Sequence, residues 1–327
     1  MTATSPPASP RLSVRLANAL LAVRPLAQLA KHQARSMMIH RAENIGVYWR
    51  DEVKVLQARQ QNRDSRQPAH HPDWDVELEQ VRDRELTYPD YYLKPFHAYD
   101  RGNLSWDAAM EVEVAARAVH ARIWPEAGAA GDAKLRQSYH NLLQRVLSEA
   151  PLVIVDAGCS VGMSSFALQQ IYPQARVVGL DLSPYFLAIA RYRARQRQLD
   201  IAWKHAAAEA TGLPEASCDL VSLCLVCHEL PSRAAESVLR EARRILRPGG
   251  HVAIMDMNPQ SDIHRNMPPY VLTLLKSTEP YLDEYFALDL PAAIASAGFE
   301  APTVEWNSPR HRTLVARVRP YLHSSSF

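Results

Sequence analysis

In LVIVDAGCSVG, residues 152–162, an apolar run ends at Asp156 and turns through Gly158, Ser160 and Gly162. Such a turn between a strand and a helix lets backbone N–H groups and the helix N-terminus approach a ligand closely, because glycine puts no side chain in the way. Asp181 ends the next apolar run, VVGLD, so a carboxylate stands beside the turn where it can accept both hydroxyls of a ribose. Base chemistry near neutral pH calls for histidine first. His228 and Glu229 follow the apolar stretch CDLVSLCLV, which makes His228 the first candidate base and Glu229 its orienting partner or a substrate contact. His97, in PFHAYD, is the second candidate base. The plain alternatives are a helix cap for His228-Glu229 and a packed, hydrogen-bonded ring for His97.

The elements that must hold these residues are regular from residue 133 onward. An amphipathic helix over Lys134–Ala150 leads into the buried strand PLVIVDAG, then a helix from about Met163 to Ile171. ARVVGLD is a second strand, and Ser183-Pro184, a cap followed by an N1 proline, opens a helix to Arg197. Strand CDLVSLCLV, helix Arg233–Leu246, turn RPGG and strand HVAIMDM follow. Ala292–Ala297, closed by Gly298, is the last helix and RTLVARVR the last strand. Strands alternating with helices imply a parallel sheet with right-handed crossovers. No internal repeat is visible. Residues 133–327 therefore read as one α/β domain, and residues 1–132 as an N-terminal extension.

That extension is unlike the rest. Its first 42 residues hold six Arg or Lys and no acid before Glu43. The Thr/Ser/Pro run to Pro10 reads as disordered, and Leu12, Leu16, Leu20 and Val23 fall at helical spacing until Pro25 interrupts. Arg24-Pro25 breaks the pattern of a signal peptide. A basic amphipathic helix in weak contact with anionic lipid, or an organellar transit segment, stays open beside a helix packed on the protein. Residues 58–86 read as exposed helix plus linker. Between 88 and 106 six aromatics crowd together: Tyr88, Tyr91, Tyr92, Phe96, Tyr99 and Trp106. They read either as a mini-core where the extension docks or as a lid, with Tyr91, Tyr92, Phe96 and Trp106 contacting a planar or apolar substrate.

Composition narrows the class. With 47% apolar and 22% charged residues the chain is of globular type, and a net charge of +2 gives no reason to expect a nucleic-acid partner. Four cysteines are too few for a disulfide scaffold, so a reducing cytoplasm is the expected setting. No apolar run is long enough to span a bilayer.

Taken together these segments resemble the class I S-adenosyl-L-methionine (AdoMet)-dependent methyltransferases, above all the small-molecule group related to ubiquinone/menaquinone C-methyltransferases. VDAGCSVG is similar to that family's first motif, with Ser160 where the middle glycine usually stands, and VVGLDLSP to its second. Glu209-Ala210 in AEATGLP corresponds to the segment that holds the adenine. SCDLVSLCLVCHEL, centred on Asp219, and EARRILRPGGHVAIMD correspond to the fourth strand with its loop and to the helix-turn-strand that closes the core. The matches keep family order over roughly residues 135–318. The resemblance implies a Rossmann-like, seven-stranded, mostly parallel sheet with helices on both faces, and AdoMet as cofactor. It implies a cofactor site of Asp156, Gly158, Ser160, Gly162, Asp181, Leu182, Glu209, Ala210 and Cys224, and methyl transfer to a small acceptor, with O- or C-methylation favoured.

Other motifs compete. Residues 158–162 also spell G-x-S-x-G, the nucleophile elbow of α/β-hydrolases, which would pair Ser160 with Asp256 and His311. That reading lacks an upstream oxyanion segment and leaves Asp181 and Glu209 without a role. A non-catalytic AdoMet-binding protein is a further alternative. Cys224–His228 spells a haem-attachment motif inside a buried strand, where core cysteines explain it better, and no second CxxC completes a zinc site. MPPY, Met267–Tyr270, lacks the leading Asn or Asp of amino-methylating DNA enzymes and sits in an insertion, residues 257–285, that reads as a substrate cover.

Overall fold

The computed structural model describes residues 24–59, 71, 73–97 and 99–319. The helical spacing read between Leu12 and Val23 and the run before Pro10 lie outside them. Four helices come first: α1 (Arg24–Asn44), α2 (Trp49–Gln57), α3 (Asp73–Val81) and α4 (Trp106–His120). Helix α5 (Gly131–Val146) then leads into β1 (Val153–Ala157), α6 (Met163–Ile171), β2 (Arg176–Asp181), α7 (Pro184–Gln196), β3 (Ala202–His205) and β4 (Cys218–Cys224). The second half runs α8 (Ser232–Ile245), β5 (Leu246–Met257), α9 (Asp262–Arg265), α10 (Pro269–Thr278), α11 (Leu282–Ala287), α12 (Leu290–Ser296), β6 (Thr303–Glu305) and β7 (His311–Arg317).

The strands form one sheet in the order β3-β2-β1-β4-β5-β7-β6. The first five are parallel, and β7 runs antiparallel to both β5 and β6. Two apolar layers follow from this. Val155, Val221, Ile254 and Leu314 face α8, α11 and α12, and Ile154, Leu220, Met255 and Val315 face α5 and α6. Strands covered on both sides need near-continuous apolar sequence, which is why PLVIVDAG and HVAIMDM were legible as buried. Helix α8 shows the complementary pattern. Ala234, Ala235, Val238, Leu239, Ala242 and Ile245 are buried in a stripe, while its arginines face outward.

The capping signal before α7 is used twice. Ser183 Oγ accepts from Phe186 N at 3.3 Å, closing the helix start, and donates to the Asn103 carbonyl at 2.6 Å, which ties the N-terminal segment to the sheet.

Of residues 58–86, the described ones (58–59, 71 and 73–86) depart from the expected exposed helix and linker, and the rest lie outside the described residues. In α3, Trp74 and Leu78 are buried, and Glu77 is enclosed by Arg59, Arg191 and Arg195. The charges that made this stretch look solvated neutralise one another across α3 and α7, while Trp74 and Leu78, one turn apart, supply the packed face. Arg59 also lies over the Trp74 ring at 4.3 Å. A third apolar cluster joins Trp49, Val53, Trp74, Met110 and Val114 to Val161, Phe186 and Ile189 of the α/β layers. Among the described residues no helix is long and apolar enough to cross a membrane.

Candidate functional site

The carboxyl ends of β1, β2, β4 and β5 meet at one edge of the sheet, where open α/β sheets bind ligands. The turn after β1 is tight because two of its residues have no Cβ. Gly158 has φ +74°, and a Cβ there would come within 2.7 Å of Val226 Cγ2. Gly162 has φ +87°, and a Cβ there would come within 2.8 Å of both Phe166 and Trp203. Ser160 adopts φ +51°, a left-handed conformation that glycine takes at no cost. Its N–H donates to Asp181 Oδ2 at 2.8 Å, and its buried Oγ has no partner.

Asp181 thus faces the bend. Its Oδ1 accepts from Ser183 N at 2.7 Å and from the Tyr92 phenol at 3.4 Å. Burial pushes its carboxyl up to about 6 against the pull of these donors. Glu209 Oε1 accepts from the Tyr91 phenol at 2.7 Å, while its buried Oε2 is unpartnered. Tyr91 and Tyr92 therefore sit on the two acids expected at a nucleoside. Phe96 packs edge-on to His97, with ring centroids 4.1 Å apart. Trp106 packs at a tilt on Trp74 and edge-on to Tyr185, beside the N-terminal apolar cluster. The aromatic segment is accordingly divided between docking and covering, and it does not form one continuous wall.

Four more expected cofactor positions have clear surroundings. Asp156 is fully buried and its Oδ2 accepts from Ser164 and Ser165, pinning the start of α6, while Oδ1 is unpartnered. Cys224 is buried against Arg136, whose Nη1 lies 3.4 Å from Sγ. Leu182 is buried, with its carbonyl 3.0 Å from His205 Nε2. Ala210 is exposed and closes a small turn through its N–H to Ala207 O.

The candidate bases converge on the same edge from three segments. His228 and Glu229 lie on a short 3₁₀ turn after β4, which caps no helix, since Pro231 precedes α8. Asp256, at the end of β5 and wholly buried, accepts from His228 Nδ1 at 2.7 Å, from His228 N at 3.2 Å and from Met257 N at 2.7 Å. Nδ1 is thereby committed, and Nε2 is aimed away from Asp256. Burial opposes a charge on His228, but Asp256, Glu279 and Glu229 outweigh it and raise the ring to about 10. It is an imidazolium at neutral pH.

Burial pushes Glu229 up to about 7, against the opposing pull of His97 and His228. His97 stands opposite. Its Nε2 is 2.9 Å from Glu279 and 3.9 Å from Glu229, and its N–H donates to Thr278 O. It too is raised, the two glutamates prevailing over burial. Asn103 Nδ2 reaches Glu229 at 3.5 Å.

Asp256 entered the sequence reading only as part of the hydrolase alternative, although an acid near the end of the buried run HVAIMDM was a usable signal. Glu279, Asn103 and Arg136 carried no signal at all. The hydrolase constellation does not assemble. Ser160 Oγ has no partner among the described residues, Asp256 serves His228, and His311 Nδ1 pairs with Ser308 Oγ. All four cysteines are buried thiols, and among the described residues no group of three His, Cys, Asp or Glu is placed to hold a metal ion.

Comparison with known proteins agrees with this geometry. Residues 154–250 match the family model described as a methyltransferase domain. Over 128 residues the chain is 39% identical to trans-aconitate 2-methyltransferase of Azoarcus sp. (strain BH72), covering 39% of this chain and 48% of that protein. It is 33% identical over 113 residues to demethylmenaquinone methyltransferase of Thermus thermophilus, covering 35% of this chain and 50% of that protein. The chain thus spans about half the length of the curated relatives it matches. A solved structure from Nostoc punctiforme PCC 73102 shares the fold at a TM-score of 0.50 and 18% identity, over 78% of this chain and 74% of that one.

Proposed function

We propose that residues 154–250, which match a methyltransferase domain, bind AdoMet in the class I manner, and that this protein methylates a small acceptor, oxygen favoured over carbon, with Glu229 as the general base. One observation carries the assignment: Asp256 holds His228 Nδ1 at 2.7 Å beside Glu229, which faces His97 at 3.9 Å, and burial pushes the Glu229 carboxyl up to about 7. Environments that drive neighbouring groups apart in this way assign acid and base roles.

The residues present fit the cofactor. Asp181 and the unpartnered Glu209 Oε2 are acceptors suited to ribose and adenine donors, and Gly158 and Gly162 keep the bend free of side chains. When bound, AdoMet supplies a methyl group already activated by its sulfonium. What remains for the chain is positioning, which supplies up to roughly 7–11 kcal/mol when reacting groups are well aligned. Glu229 takes the proton of an acceptor hydroxyl as its oxygen becomes the nucleophile. His228 stays charged on Asp256 and stabilises the developing oxyanion. His97 and Glu279 close the side opposite Glu229.

Four buried thiols support a reducing, cytoplasmic setting. The test is Glu229→Gln. Methyl transfer should fall on the order of 10²–10⁴-fold with AdoMet affinity unchanged. An unaltered rate would remove Glu229 as the base.

A further inference from the structure

The acids of the acceptor face carry more information than a base alone requires. Glu229 and Glu279 pair with no arginine or lysine among the described residues, the cations that act on them being the imidazoles of His97 and His228. Glu279 is nine-tenths buried, and its Oε2 has no hydrogen-bond partner. Asn103 is 7% exposed, and its side chain enters the same cluster through Nδ2 while Oδ1 is unpartnered. The Asn103 backbone carbonyl accepts from the Ser183 hydroxyl, and the amide is oriented by its Nδ2 on Glu229, which leaves the buried Oδ1 without a donor. Buried acceptors without donors carry a desolvation cost that nothing in the fold repays. A ligand that brings donors removes that cost, and a carboxylate ligand adds like-charge repulsion to it.

We propose that the acceptor site takes a neutral or cationic compound bearing hydroxyl or amine donors, and that it selects against carboxylates. The donors are received by Glu279 Oε2 and Asn103 Oδ1, beside the hydroxyl that Glu229 deprotonates. This rests on the methyl-transfer reading and deepens it. It also separates this chain from its relative named for trans-aconitate, because a tricarboxylate brings further acceptors to the unpartnered oxygens of Glu279 and Asn103.

Calorimetry on the full-length protein loaded with S-adenosylhomocysteine tests the inference with three probes: dopamine, 3,4-dihydroxyphenylacetate and trans-aconitate. The first two share a catechol ring and differ in the sign of the side-chain charge. Dopamine is expected to bind at least tenfold more tightly than either acid. Glu279→Gln and, independently, Asn103→Ser should cut that preference to threefold or less, with S-adenosylhomocysteine affinity and melting temperature serving as controls for folding. Equal affinities, tighter binding of an acid, or no binding of any probe overturns the acceptor inference. Failure to bind S-adenosylhomocysteine overturns the methyl-transfer reading itself, and this inference with it.

Discussion

Asp256→Asn is the sharpest probe of the dyad. In the wild type three N–H groups converge on two carboxylate oxygens: His228 Nδ1 and Met257 N on Oδ1, and His228 N on Oδ2. An amide keeps one acceptor. Seated at the Oδ1 position it preserves the two 2.7 Å bonds and turns its NH₂ toward the His228 backbone N–H. One buried donor then goes unpaired, which costs about 1–3 kcal/mol of stability. The larger effect is on charge. Without Asp256, burial again disfavours the imidazolium, and only Glu279, Glu229 and the edge around them oppose it. A neighbouring opposite charge shifts a pKa by about 1–3 units, so His228 should titrate roughly that far below its value of about 10.

The wild-type profile of kcat/KM should be bell-shaped. It rises as Glu229 loses its proton through about 7 and falls as His228 loses its own through about 10. In Asp256→Asn the alkaline limb should move down by about 1–3 units while the acid limb stays in place. Labelled-methyl transfer across pH 5.5–10.5, with imidazole NMR of His228, reads both. An alkaline limb that does not move, alongside a His228 titration that does, would refute the requirement for the imidazolium. A His228 titration that does not move would refute the electrostatic account of the dyad.

The cofactor edge yields two further expectations. Asp181→Ala should weaken AdoMet binding by about 1.5–3 kcal/mol through loss of charge-assisted bonds. In the wild type, AdoMet affinity should drop as pH falls through about 6, because burial has raised Asp181 to that value and the ribose donors need its ionised form; calorimetry at pH 5 and 8 checks both, and a flat profile counts against the ribose role. Gly158→Ala should lose about 1–3 kcal/mol of stability and most cofactor affinity, since its Cβ would lie 2.7 Å from Val226 at φ +74°. Adding Val226→Ala should return the steric part and leave the backbone part, as measured by denaturant melts.

How much of this was legible depended on what kind of contact was involved. The helix from Met163 to Ile171, the glycine bend and the acid ending β2 are local matters. Apolar period, capping chemistry and the positive-φ demand of a tight turn are written in neighbouring residues, so the sequence could place them. The pairing of β7 antiparallel to β5 could not be read the same way, because a buried run looks alike in either direction.

The site divides along the same line. Residue types and spacing were enough to mark Asp181, Glu209, His228 and Glu229, and to set the class of cofactor through the resemblance they carry. Only the folded chain could decide what each one does. It gives Asp256 to His228 and so makes that histidine a cation. It buries Glu229 and so raises its carboxyl, and it sets Tyr91 on Glu209 and Tyr92 on Asp181 while packing Trp106 against Trp74. Protonation states and partners are set by burial and by charges brought together from distant segments. Those quantities arise only when the sheet edge closes.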